Sequence, residues 1–169
     1  MTYFIWLLRI VHIVGGIFWV GGTLMMAFFI APTVGATAEA GQKFIGHLMG
    51  NLKFSNRMAT AAGLTIVAGF ILYWIDSNGF TSAWMSSGAG RGFGIGAAFA
   101  LIGFIYGILV GRTTKAMAEL GAQFQGQPSA AQMAQVQSFR KRQASYANIS
   151  AVMLIIAAVF MAIARYFTF

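Results

Sequence analysis

A chain of 169 residues that is 59% hydrophobic and only 8% charged falls far short of the roughly 25% charged residues of a soluble domain, so its surplus apolar surface, at a mean hydropathy of +0.75, belongs in lipid. The absence of cysteine excludes disulfides, thiolate metal sites and cysteine nucleophiles. The net charge of +8, from eleven basic and three acidic residues, lies on loops and span ends and not on an independent domain, which points to membrane orientation and anionic headgroups and away from nucleic acid.

Four apolar stretches reach the roughly 20 residues needed to cross about 30 Å of hydrocarbon. They cover about residues 3–31, 58–75, 93–111 and 149–167. The first ends where Pro32 follows Ala31. Ala36-Thr37-Ala38 resembles a signal-peptide cleavage site, but only Arg9 precedes or interrupts the run, and the run is too long for a signal h-region. It reads as a retained span. Gly41–Lys53 reads as a short interfacial or extending helix. The loop Asp76–Arg91 is rich in glycine and serine, and Trp74, Trp84, Tyr3 and Trp6 suit an aromatic belt on the same side. Beyond the third span the helix can continue to about Leu120, and Gly126-Gln127-Pro128 makes a turn. Ser129 with Gln132 then forms a capping box that opens a helix running into the fourth span.

The expectation is an all-α polytopic membrane protein: one transmembrane domain over residues 1–169, an antiparallel bundle of four spans, with a helical hairpin over 112–147. Residues 36–57 carry Lys43, Lys53 and Arg57, and 112–147 carry Arg112, Lys115, Arg140, Lys141 and Arg142. Eight of eleven basic residues thus lie on one side, which the positive-inside rule makes cytoplasmic, with both termini outside. The expected location is a bacterial inner membrane. Glycines recur four apart at Gly88, Gly92 and Gly96 and again at Gly103, Gly107 and Gly111, the spacing that lets helix backbones approach closely. The Gly92–Gly96 run is no dinucleotide fingerprint, since no strand precedes it.

Polar groups inside a bilayer are costly and mark function. In the first span Arg9, His12, Gly16, Trp19, Thr23 and Met26 fall on one broad face at about 100° per residue. Gly15 and Gly16 strip bulk from the surface beside His12, where a flat cofactor could approach, and Trp19 could close the floor. Arg9, Arg91 and Arg165 all belong to the outer end. Guanidinium binds carboxylates in a fork, so the three arginines suit heme propionates. His12, about 5 Å deeper than Arg9, then sits where an axial iron ligand would. The expected cofactor is a heme b. Met161, one turn below Arg165, is a candidate sixth ligand, although a five-coordinate site is equally allowed and core packing suits one of ten methionines. His47 lies at the opposite boundary and cannot share a heme with His12. Plainer readings stand beside these: snorkelling for Arg9 and Arg165, a helix–helix hydrogen bond for His12, and a pair with Arg91 for Asp76.

The first span reads HIVGGIFWVGG from His12 to Gly22, followed by FFIAPTV from Phe28 to Val34. This resembles the CopD-like superfamily of small bacterial membrane proteins, whose first helix carries a histidine, then Trp-x-Gly-Gly, then an apolar run ending in Ala-Pro. Arg57 before a glycine-containing second helix is similar too. The resemblance covers about the first 75 residues; the second half matches in hydropathy alone. It implies a heme or copper association, since a protoporphyrinogen-oxidising family has a similar histidine-bearing first helix, and it makes His12 the functional histidine. A copper importer would offer more His, Met or Cys at its outer mouth than Met85, and the further basic residues of the oxidase family have no counterpart here. The reading is therefore a heme b protein for electron transfer or a subunit of a membrane redox complex, with lipid around it and a lipid-facing entry open to quinone. The alternatives are a non-catalytic accessory subunit packed in a homo-oligomer or larger complex, and a transporter of copper or a small solute. Whether it catalyses a reaction is open.

Overall fold

The computed structural model describes residues 2–81, 83–124 and 126–168, and among these it is helical almost throughout, with no strand. Met1, Ser82, Gln125 and Phe169 lie outside the described residues, so the ends of the expected 1–169 unit and one position each of its outer loop and its hairpin are not covered. Helix α1 (Thr2–Met25) passes through a π turn (Met26–Ile30) into α2 (Ala31–Ala36). Helix α3 (Ala38–Gly46) turns back beside α2 and leads through a second π turn (His47–Asn51) to α4 (Phe54–Asp76). Helix α5 (Gly88–Ala122) and helix α6 (Ala130–Ile163) complete the fold. Four stretches, Thr2–Ala36, Phe54–Asp76, Gly88–Ala122 and Ala130–Tyr166, are long and apolar enough to cross a membrane. The chain is a multi-pass membrane protein.

The spans outrun their expected bounds for local reasons. Pro32 does not end the first one. The Ala31 N–H already bonds the Met26 carbonyl five residues back, so the hydrogen-bond ladder has shifted where Pro32 withdraws its own donor, and proline is tolerated in the first turn of α2. The reversal comes instead at Ala38, whose φ of 44° is left-handed. Helix α3 then lies against α2 so closely that a β-carbon on Gly41 would stand 2.8 Å from the Val34 Cα. Helix α4 begins at Phe54, after left-handed Lys53 at φ 49°. Its first turn is polar (Ser55, Asn56, Arg57), which hydropathy alone assigns to the loop.

Between α4 and α5 the chain turns through Asn78, Gly79 and Phe80, all at positive φ. The fully buried Ser77 holds this turn: its hydroxyl donates to the Trp74 carbonyl at 3.2 Å and accepts the Phe80 N–H at 3.0 Å. Ser87 caps α5 by accepting the Gly90 N–H at 3.2 Å. The capping box that opens α6 is present, with Ser129 accepting from the Gln132 N–H at 3.2 Å and Gln132 Oε1 accepting from the Ser129 N–H at 2.8 Å. The α5–α6 hairpin is further tied by Gln143 Nε2 donating to Thr114 Oγ1 at 2.7 Å.

The bundle consists of two antiparallel pairs, α1 with α4 and α5 with α6, which meet over a small core. Trp19, Ala61, Ala62 and Leu154 form that core, and Phe104 of α5 stands edge-on to Trp19 at 6.1 Å. Val14, Phe18, Leu64, Phe70 and Ile105 face outward. This arrangement, small residues within and large apolar ones without, suits lipid, where no hydrophobic force joins the helices and close van der Waals packing must do so.

Candidate functional site

His12 lies in the α1–α4 seam. Its Nδ1 is 2.8 Å from the Thr65 carbonyl, and because a carbonyl only accepts, Nδ1 carries the proton. In the neutral imidazole Nε2 then holds the lone pair. No other hydrogen bond of the ring is seen among the described residues. Gly69, one turn beyond Thr65, makes the room: a β-carbon there would be 2.7 Å from His12 Cε1 and 2.8 Å from Nδ1. Thr65 is itself fixed, its hydroxyl donating to the Ala61 carbonyl at 2.8 Å.

The same device repeats along the seam. A β-carbon on Gly15 would lie 2.7 Å from Thr65 Oγ1, one on Gly16 3.6 Å from Thr65 Cγ2, and one on Gly22 2.7 Å from Met58 Sδ. Each large side chain faces a glycine of the partner helix. The space beside Gly15 is thus taken by Thr65, which lies at ordinary contact distance from Gly16. Trp19 is 5% exposed and packed in the core, so it presents no free surface to a flat cofactor, whereas Gly16 is half-buried beside Thr65.

Arg9, Arg91 and Arg165 belong to one end of the bundle. Gly69 is level with His12, and Tyr73, one turn further along α4, donates to the Gly90 carbonyl at 3.1 Å. Arg9, one turn outward from His12, is therefore close in depth to Arg91. Arg165 sits in the 3-10 turn Ala164–Tyr166 that ends α6, where a β-carbon on Gly92 would be 2.9 Å from Ala164. All three arginines are exposed. The ion pairs among the described residues are Lys43–Glu39 at 2.8 Å and Lys115–Glu119 at 3.7 Å. Asp76 and Arg91, the pair expected across the outer loop, do not bridge, and none of the three guanidiniums pairs with a carboxylate among the described residues.

Met161 belongs to the other helix pair: its methyl would stand 3.2 Å from a β-carbon on Gly96 of α5. His47 is exposed in the second π turn. Sequence reasoning missed Thr65 and Gly69. Their signal was a lone hydroxyl with a glycine four residues on in an apolar span, meaningful only once α4 is known to face His12. No group of three or more His, Cys, Asp or Glu able to hold a metal ion occurs among the described residues.

A groove of about 690 Å³ runs down the outside of the α1–α4 seam, with Ile10, Val14, Phe18 and Leu64 along it and Asn51, Lys53, Asn56 and Arg57 at one end. A smaller cavity of about 320 Å³ lies between α2 and α3, beside Phe29 and Phe44. Neither is lined by His12, Arg9, Arg91 or Arg165. Compared with models of protein families, with curated proteins and with solved structures, the chain matches none.

Proposed function

We propose that the chain is a heme b-binding membrane protein that serves electron transfer, alone or within a larger redox complex, with His12 as the axial ligand. The observation that carries this reading is the half-satisfied imidazole. Its Nδ1–H is anchored on a backbone carbonyl 2.8 Å away, while Nε2 has no partner among the described residues. Metal-ligating histidines are oriented in this way, with the distal nitrogen hydrogen-bonded so that one tautomer is fixed. An unmatched polar atom in an apolar seam costs about 1–3 kcal/mol, which a ligand would offset.

The residues fit the group in part. His12 offers the lone pair, and Arg9, Arg91 and Arg165 offer guanidiniums that pair with no carboxylate among the described residues. Gly16 and Trp19 are engaged in packing, so the reading rests on His12 and the arginines. Bound there, heme would supply one-electron chemistry. The chain's own part is to hold the imidazole in one tautomer and to neutralise acidic groups at the outer end. On the positive-inside rule, the basic loops lie in the cytoplasm of a bacterial cell and the His12 end faces outward.

A second reading leaves His12 as a packing residue of a non-catalytic subunit, supported by the fit of its ring at Gly69. One set of proteins separates the two. Expressed with heme precursor and purified in mild detergent, the wild type should show a Soret band that shifts on dithionite reduction. His12→Asn keeps a donor for the Thr65 carbonyl and should fold yet lose the band, whereas His47→Ala should keep it. A colourless wild type excludes the heme reading and leaves the packing one.

A further inference from the structure

The groove outside the α1–α4 seam combines two chemistries that the His12 reading does not use. Its walls are apolar and open, with Val14, Phe18 and Leu64 each about half or more exposed. Its polar end gathers two cations, Lys53 and Arg57, and two carboxamides, Asn51 and Asn56. The chain has three acidic residues. Glu39 pairs with Lys43, Glu119 pairs with Lys115, and Asp76 ends α4 at the opposite end. Lys53 and Arg57 are therefore left without a carboxylate partner among the described residues.

We infer that this groove is a specific site for an anionic phospholipid of the leaflet on the basic side, its phosphate held by Lys53 and Arg57 and one acyl chain lying along the seam. Length sets the occupant. From Lys53 to Leu64 the α4 wall rises about 16 Å at 1.5 Å per residue, close to half of a hydrocarbon core about 30 Å thick. That is the depth of one leaflet. Charge sets the headgroup: each juxtamembrane cation draws an anionic lipid, and guanidinium grips phosphate in a fork. Asn51 and Asn56 add uncharged donors for the phosphate or glycerol ester oxygens. A volume of about 690 Å³ falls among ligand sites of about 300–1,000 Å³. A second copy of the chain fits worse, since a two-fold contact along this face would bring two Lys53–Arg57 ends of the same sign together.

The test uses the full chain in mild detergent, stripped of lipid and then offered dioleoyl phosphatidylglycerol, dioleoyl phosphatidylcholine or inorganic phosphate, with native mass spectrometry and thermal unfolding as readouts. Phosphatidylglycerol should bind and raise the unfolding temperature, and phosphatidylcholine and phosphate should do neither. The double variant Lys53→Gln with Arg57→Gln should weaken phosphatidylglycerol binding by roughly tenfold or more. Leu64→Trp, which fills the apolar wall, should weaken it while leaving both cations in place. Arg140→Gln with Lys141→Gln should change nothing, because those residues lie outside the groove. Equal binding by wild type and double variant, stabilisation by phosphate alone, or a dimer that Leu64→Trp dissociates would each overturn the assignment.

Discussion

The close approach of His12 to Gly69 makes a prediction that is independent of any ligand. Gly69→Ala would place a carbon 2.7 Å from the imidazole Cε1. The ring must move, which strains the Nδ1–Thr65 hydrogen bond. Overpacking of this kind costs about 1–3 kcal/mol, read as a lower unfolding midpoint in detergent. Gly63→Ala, in the same helix with nothing within 4 Å of its would-be β-carbon, should be neutral or slightly stabilising. If the two variants unfold alike, the seam is not built on Gly69. Trp19→Ala should be the severest change, about 3–5 kcal/mol, since Trp19 is 5% exposed and meets Phe104 edge-on. His12 was legible in the sequence because a titratable group in an apolar run is conspicuous. Its partners were not, because nothing in a periodicity of 3.6 says which of three other helices a face meets. For the same reason Gly16 and Trp19 read together as a cofactor surface, although Trp19 belongs to the core and Gly16 borders Thr65.

At the level of elements, the four long helices were legible from hydropathy, and the hairpin turn from Ser129 and Gln132, because both signals are local. The bounds were less so. The polar first turn of α4 and the π turn ahead of Pro32 are settled by hydrogen bonding that composition does not record. The glycine series on α5 shows the same limit. Spacing alone groups Gly103, Gly107 and Gly111, yet a β-carbon on Gly103 would stand 2.9 Å from Leu154, one on Gly107 would only touch Ser150 Oγ at 4.0 Å, and one on Gly111 would meet nothing. Gly103→Leu should therefore prise α5 from α6, whereas Gly111→Ala should stabilise α5 by up to about 1 kcal/mol through helix propensity. Ser150→Ala removes the bond from its hydroxyl to the Gly103 carbonyl at 2.8 Å. Such interhelical bonds average only about 0.6 kcal/mol in a membrane bundle. Unfolding by SDS titration should rank the three with Gly103→Leu far below wild type, Ser150→Ala slightly below it, and Gly111→Ala level or above.

The whole molecule is longer than the bilayer on one side. Helix α5 has 35 residues, about 52 Å at 1.5 Å per residue, against a hydrocarbon core of about 30 Å. Arg91 near its start and Arg165 at the end of α6 fix one interface, because guanidiniums resist entry into lipid. The surplus of about 20 Å must then emerge at the end that carries Arg112, Lys115 and Arg140–Arg142. The α2–α3 reversal emerges there too, with Lys43. The expectation from the positive-inside rule is that this side, which carries eight of the eleven basic residues, faces the cytoplasm. A chain without cysteine gives a clean reading of this orientation by single-cysteine labelling. In intact cells a membrane-impermeant maleimide should label Asn78→Cys, in the turn between α4 and α5, and should leave Gln127→Cys and Gln42→Cys unlabelled until the cells are opened. The reverse pattern would invert the molecule and put His12 in the inner half of the membrane. Labelling of Gln42→Cys and Gln127→Cys from opposite sides would break the antiparallel bundle itself, because both positions lie at the end where α2 meets α3 and α5 turns into α6.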